Sequence, residues 1–168
     1  MRLPYDTLAA DGLKALGGVY GYIMRCGLEK PLVDLVYLRA SQINGCAYCM
    51  DTHSHDLMQA GTPVQKIMIV SAWREARSLF TEREMAALNW TEAVTRIADT
   101  QVRDADFERA RLHFSDKELA DLTIAIGLIN TYNRIAVSFR RAPERRAPLA
   151  SSLSHLHESS ISANGIVP

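Results

Sequence analysis

Apolar positions recur along this chain with a helical period, and turn residues punctuate them at short intervals. Leu32, Leu35, Val36 and Leu38 mark one helix running toward Ser41, and Pro31 suits its first turn. Asn44-Gly45 breaks that pattern. A second helix is predicted from about Cys46 to Gly61, a natural residue just past a helix end. Thr62-Pro63 then reads as N-cap and first helical residue of a third, which continues through Ile67, Val70 and Ser71 toward Trp73. Thr81 with Glu84 (T-E-R-E) and Ser115 with Glu118 (S-D-K-E) have the spacing of capping boxes. The first opens a helix carrying Met85, Leu88, Ala93, Val94 and Ile97; the second opens a long one carrying Leu119, Leu122, Ile126, Ile129 and Ile135. Between them, Asp104 or Asp106 caps a short helix through Phe107 and Ala110. The segment before Pro31 also has helical spacing, weakened by Gly12, Gly17, Gly18 and Gly21. No stretch alternates with a period of two. The pattern therefore predicts an all-α fold.

From Pro143 the pattern fades. Residues 151–168 hold six serines and two histidines, His155 and His157, with little apolar periodicity. We expect one helical domain over residues 1–142, followed by an extended or disordered tail over 143–168. At 168 residues and 48% hydrophobic content the chain is the size of an ordinary domain and can bury a core without staples. Lys plus Arg and Asp plus Glu are equal at 19 each, which leaves no electrostatic footprint for nucleic acid or an anionic membrane. Apolar runs are short, so none is expected to span a bilayer. Asp6 and Asp11 interrupt the N-terminal apolar residues, unlike a signal peptide, and the expected location is the cytoplasm.

Three cysteines in a reducing compartment argue against a structural disulfide framework. Cys26 reads as a small buried hydrophobe. The other two fall in NGCAYCMDTH, residues 44–53. With Cys46 as origin on a helix, Cys49 lies at roughly 300° and His53 at roughly 340°, a shared stripe about 60° wide. His55 points to roughly the opposite side. Asp51 and Asp56 are expected to face solvent or to favour the first turns of the helix. Trp73 and Trp90 read as core or subunit contacts.

A C-x-x-C pair is open to three readings: a zinc half-site, a redox dithiol, or coincidence. Zinc needs about four ligands in a structural site, and Cys46, Cys49 and His53 supply three. No second C-x-x-C and no H-x-x-x-H exists to complete the set. A redox pair needs only local physics. Cys46 follows Asn-Gly at a helix start, where free N–H groups and the helix dipole favour a thiolate. Cys49 sits deeper, and His53, one turn further, can take its proton.

The block LRASQINGCAYCMDTHSHDLMQAG, residues 38–61, resembles the core of the alkylhydroperoxidase AhpD-like proteins of the carboxymuconolactone decarboxylase superfamily. Residues 71–99 and 121–140 resemble the short members of that family as well, and the likeness extends over roughly residues 1–142. The resemblance implies an all-helical AhpD-like bundle that assembles as a homo-oligomer, a trimer or hexamer. It also implies a thiol-dependent peroxidase or disulfide reductase of peroxiredoxin type, with an antioxidant role. Its partners would be a peroxide substrate and a thioredoxin-like or lipoyl-type thiol reductant, with no metal or organic cofactor. By the same resemblance Cys49 is the peroxidatic thiol, Cys46 the resolving one, and His53 the base. The family's relay glutamate falls on Asp34, one methylene shorter, so the relay is expected to be weaker or to run through a water. Tyr48 stands where some members have a second histidine, and its hydroxyl is expected to bond substrate or thiolate. A lactone decarboxylase of the same superfamily and a non-catalytic redox or zinc sensor are the alternatives.

Overall fold

The computed structural model describes residues 1–145, and the expected tail falls almost wholly outside them. Among the described residues the regular structure is helical: α1 (Tyr5–Leu8), α2 (Ala10–Ile23), α3 (Lys30–Asn44), α4 (Ala47–Gln59), α5 (Val64–Ile69), α6 (Glu82–Thr95), α7 (Ile97–Thr100), α8 (Asp104–Arg111) and α9 (Asp116–Ser138). Single 3-10 turns at Val70–Ala72 and Arg77–Leu79 bridge α5 to α6.

Helix α3 is the axis of the fold, and its composition explains why. Every residue from Leu32 to Leu38 is buried, so it is apolar nearly all round, as a helix enclosed by others must be. One side (Val33, Val36, Tyr37 and Ala40) packs on Leu122, Ala125, Ile126 and Ile129 of α9 and on Ala86, Ala87 and Trp90 of α6. The opposite side (Leu35 and Leu38) packs on Leu57, Ile67, Val70, Trp73 and Leu88. The one charged side chain in the buried run is Asp34. A carboxylate carried into such a core must find partners there, because unpaired burial of charge is costly.

Both capping boxes form. Glu84 N–H donates to Thr81 Oγ1 at 3.2 Å while Thr81 N–H donates to Glu84 Oε2 at 2.7 Å. Glu118 N–H donates to Ser115 Oγ at 3.3 Å and Ser115 N–H returns the bond to Glu118 Oε2 at 2.8 Å. The Ser115 backbone N–H, together with Arg83 and the Ser115 hydroxyl, holds the Glu118 carboxyl down to about 2, from an ordinary 4.5. A group depressed on folding contributes stability that is present above its unfolded value and lost as the pH falls through its folded one. We therefore expect Glu118→Gln to flatten the acid loss of stability between about pH 4.5 and 2. Thermal melts of the two proteins at half-unit steps check this; parallel curves through that window refute it.

Three boundaries differ from the sequence reading. Pro63, not Thr62, is the N-cap of α5, with φ −56° and ψ 133°, and the helix begins at Val64. The α6 helix stops at Thr95, because Arg96 leaves helical geometry (φ −101°, ψ 37°), and Ile97 lies exposed in the short α7. Arg103 caps α8, while Asp106 turns inward, where it accepts from Asn89 Nδ2 at 3.0 Å and Arg103 Nε at 3.1 Å. Tertiary partners outvoted local capping preference at these points. The α2 helix runs unbroken through its four glycines.

Candidate dithiol site

The turn between α3 and α4 builds the site. Gly45 takes φ +67°, a left-handed conformation that glycine adopts without strain. Its cap reverses the chain so that α4 packs back along α3. Cys46 follows in extended geometry as the N-cap of α4, and its Sγ accepts the Cys49 backbone N–H at 3.3 Å. Cys46 and Cys49 are joined as a disulfide, with Cα atoms 5.4 Å apart. The thiols are thus adjacent, at a helix N-terminus, in a shell of apolar contacts.

Both cysteines are buried, Cys49 at 4% exposure, but only Cys49 borders a cleft. Cys49 lines a cleft of 270 Å³ with Tyr48 and His53 on its own helix, Ile129 and Tyr132 on α9, and Tyr5 and Arg141. Cys46 does not line it and is 1% exposed. A larger cavity of 380 Å³, beside Arg74 and Arg109, contains no cysteine and is not part of this chemistry.

His53 reaches the cleft from one turn below Cys49. Its Nδ1 lies 3.3 Å from Asp34 Oδ1. An ionised carboxylate only accepts, so Nδ1 carries the proton in this contact and Nε2 is left as the basic nitrogen. Asp34 meets His53 directly, at a long hydrogen-bond distance. Its other oxygen accepts from Lys30 Nζ at 2.6 Å. That bond holds the Lys30 ammonium above its ordinary value. Lys30 stands one turn before Asp34, an i,i+4 pair whose exposed member neutralises the buried one.

Besides Lys30, the sequence reading missed three members of this cluster. Asp56, expected toward solvent, brings Oδ2 to 3.9 Å from His53 Nδ1. It shares the α4 face of His53 at i+3, a spacing legible in the sequence. Tyr37 packs its ring edge-on against His53, with centroids 4.9 Å apart. Burial pushes its phenol up, and among the described residues its hydroxyl has no hydrogen-bond partner. Arg141, after the end of α9, lays its guanidinium 4.2 Å from the centroid of the Tyr48 ring. Tyr48 lines the cleft as expected of a substrate contact, but what it visibly supports is that arginine.

Other candidates fall elsewhere. His55 does not line the cleft. Cys26 is half-buried rather than buried, with Sγ donating to the Ile23 carbonyl at 3.1 Å. Both tryptophans are core residues, with Trp73 Nε1 bonded to Glu92 and Trp90 Nε1 to Thr123. His155 and His157 lie outside the described residues. A zinc site on Cys46, Cys49 and His53 would need thiolates aimed at one point, whereas the sulfurs bond each other and Nδ1 turns to Asp34. Asp34, His53 and Asp56 do bring ligating atoms within 4.8 Å of one another. Lys30 already occupies one Asp34 oxygen, so an ion there would have to displace an ammonium.

Helices packed round a buried central one, with a vicinal dithiol at a helix start, make this an AhpD-like protein. The chain belongs to the carboxymuconolactone decarboxylase family, whose sequence profile matches residues 10–93. It is 32% identical over 137 residues to the uncharacterised protein YdfG of Bacillus subtilis, covering 82% of this chain and 92% of YdfG. A protein of unknown function from Agrobacterium tumefaciens, described as a candidate antioxidant defence protein AhpD, superposes with a TM-score of 0.83 at 43% identity, covering 86% of this chain and 99% of that one. An uncharacterised peroxidase-related protein from Silicibacter sp. TM1040 superposes with a TM-score of 0.72 at 26% identity, covering 80% of this chain and 71% of the other. A paired disulfide in this fold fits a redox role. No helix among the described residues is long and apolar enough to cross a membrane.

Proposed function

We propose that this chain is a thiol-dependent hydroperoxidase that cycles between the Cys46–Cys49 dithiol and its disulfide. The observation that carries the reading is the asymmetry of the pair. Cys49 shares the cleft with His53, while Cys46 is buried behind it within bonding reach.

In the reduced protein His53, oriented by Asp34, takes the Cys49 proton through Nε2. The thiolate attacks the terminal oxygen of a hydroperoxide ROOH. The O–O bond breaks, an S–O bond forms, and the alkoxide leaves as ROH with the proton held by His53. Cys49 is now a sulfenic acid. The Cys46 thiol displaces its oxygen as water, and the disulfide closes. An external dithiol, thioredoxin-like or lipoyl-type, then attacks the sulfur that faces the cleft, Cys49. Cys46 leaves as a thiolate, stabilised by the Cys49 N–H and the helix N-terminus. The donor's second thiol then attacks the donor sulfur in the mixed disulfide, releasing Cys49 as a thiolate and the donor as a disulfide. The helix start thus favours the leaving group and the histidine favours the nucleophile. Residues 1–142 are the working unit in this reading, assembled as a homotrimer or hexamer in the cytoplasm, with an antioxidant task.

Mass spectrometry after one equivalent of hydroperoxide tests it. The expected product is an intramolecular Cys46–Cys49 bond formed within the mixing time, followed by reopening on addition of a dithiol. Thiols left reduced, or oxidised only slowly to sulfinic acid, would sink the proposal.

A further inference from the structure

The cleft is apolar along most of its length, with Ile129 and Ala136 on one wall, yet it carries a guanidinium. Arg141 is placed there deliberately by the fold. Its backbone N–H donates to the Ala136 carbonyl at 2.9 Å, and the preceding Arg140 takes φ +56° to turn the chain back. Its Nη1 donates to the Tyr5 hydroxyl at 3.0 Å, and its guanidinium stacks on Tyr48, the residue next to Cys49. Tyr5 itself stacks on Phe139, with centroids 5.4 Å apart, so the segment is tied down at several points. Among the described residues no carboxylate forms an ion pair with Arg141; Asp6 acts on it only at longer range. A half-buried guanidinium with five donors and two neutral tyrosine partners is unsatisfied as a fork. Arginine in that setting matches a carboxylate, which it can bind through two parallel bonds.

We propose that Arg141 is the specificity residue for an amphipathic carboxylic acid, so that the substrate is a hydroperoxide of a fatty or similarly apolar acid, with its carboxylate on Arg141 and its peroxide on Cys49. The size agrees: at about 30 Å³ per water-sized group, 270 Å³ admits about nine such groups, the bulk of a medium-chain acid. The reaction is the one written above with R carrying the carboxylate, and the product is the corresponding hydroxy acid. The chemistry rests on the hydroperoxidase reading, whereas the acid site does not.

Calorimetry on the oxidised protein tests the site alone, with octanoate against its neutral analogue octanamide. Octanoate is expected to bind about tenfold tighter or better, the scale of a charge-assisted pair. Arg141→Gln should erase that preference and Arg141→Lys should restore part of it, with circular dichroism showing each variant folded. Equal binding of the two probes by the wild type, which needs no variant, overturns the proposal. Turnover then compares a hydroperoxide of octanoic acid with its methyl ester, the acid being favoured about tenfold or more in kcat/KM. Equal turnover of both overturns the acid specificity and leaves the hydroperoxidase standing. Selective octanoate binding without turnover of either peroxide upholds the acid site and refutes the hydroperoxidase.

Discussion

Cys49→Ser is expected to abolish peroxide turnover, while Cys46→Ser consumes one equivalent of peroxide quickly and a second only slowly, without turning over. The two variants remove sulfurs that differ in surroundings rather than in chemistry. Serine at 49 offers the cleft a hydroxyl that stays protonated near neutral pH and is a weak nucleophile without strong activation. Serine at 46 leaves the cleft-facing thiol and His53 in place, so the first oxidation proceeds. The sulfenic acid then has no neighbour to condense with, and excess peroxide drives it to sulfinic acid. Two physical effects compete over this assignment. The helix N-terminus and the Cys49 N–H favour a thiolate on Cys46, as in redox pairs whose first cysteine attacks. Access and the base favour Cys49. Both cysteines are buried, Cys49 at 4% and Cys46 at 1% exposure, but only Cys49 lines the cleft beside the base, and that decides the assignment. Stopped-flow peroxide consumption with mass-spectrometric identification of the oxidised residue checks it. The opposite pattern, an inert Cys46→Ser and a single-turnover Cys49→Ser, would reverse the roles.

His53→Gln is expected to slow the oxidation step at pH 7 by about thirtyfold or more. An unassisted thiol near 8.5 is only a few per cent ionised at pH 7, so losing the base alone costs about that factor. The loss should shrink as the pH approaches 9, where the thiol ionises unaided. The part of the loss that persists at pH 9 measures the proton that His53 returns to the departing alkoxide in this mechanism, a contribution of about a hundredfold or more. A rate unchanged at pH 7 would remove His53 from the mechanism. Asp34→Asn separates orientation from basicity. Its amide keeps the size of the side chain but removes the charge that fixes the proton on Nδ1 and neutralises Lys30. Lys30 is half exposed and can return to water, so the fold should lose little stability. The rate should fall by less than in His53→Gln, and a pH profile shifted with it marks a positioning role that a packing defect would not produce.

Much of this arrangement was legible in the chain. The helical period, the two capping boxes and the glycine at the α3–α4 turn are local signals, and each is realised in the structure. The spacing of Cys46, Cys49 and His53 was legible in the same way, but the structure places Cys46 outside the helix as its N-cap, and only Cys49 and His53 border the cleft together. The local signal also reached Lys30 and Asp56, at i,i+4 and i,i+3 from residues already suspected. They were passed over because exposed charges at such spacings are common and periodicity alone does not say which helix face is buried.

The order of the residues by itself determined the helices, both capping boxes and the placing of Cys49 and His53 about one turn apart on α4, since those follow from backbone geometry over a few positions. Only the packing of α3, α4 and α9 decided which cysteine borders the cleft, that Asp34 lies beside His53, and that Arg141 stacks on Tyr48. Those facts join residues far apart in the chain. Apolar burial drives the helices together, but it is non-directional. Which polar groups end up adjacent is therefore set by how the side chains fit, and no local pattern records it.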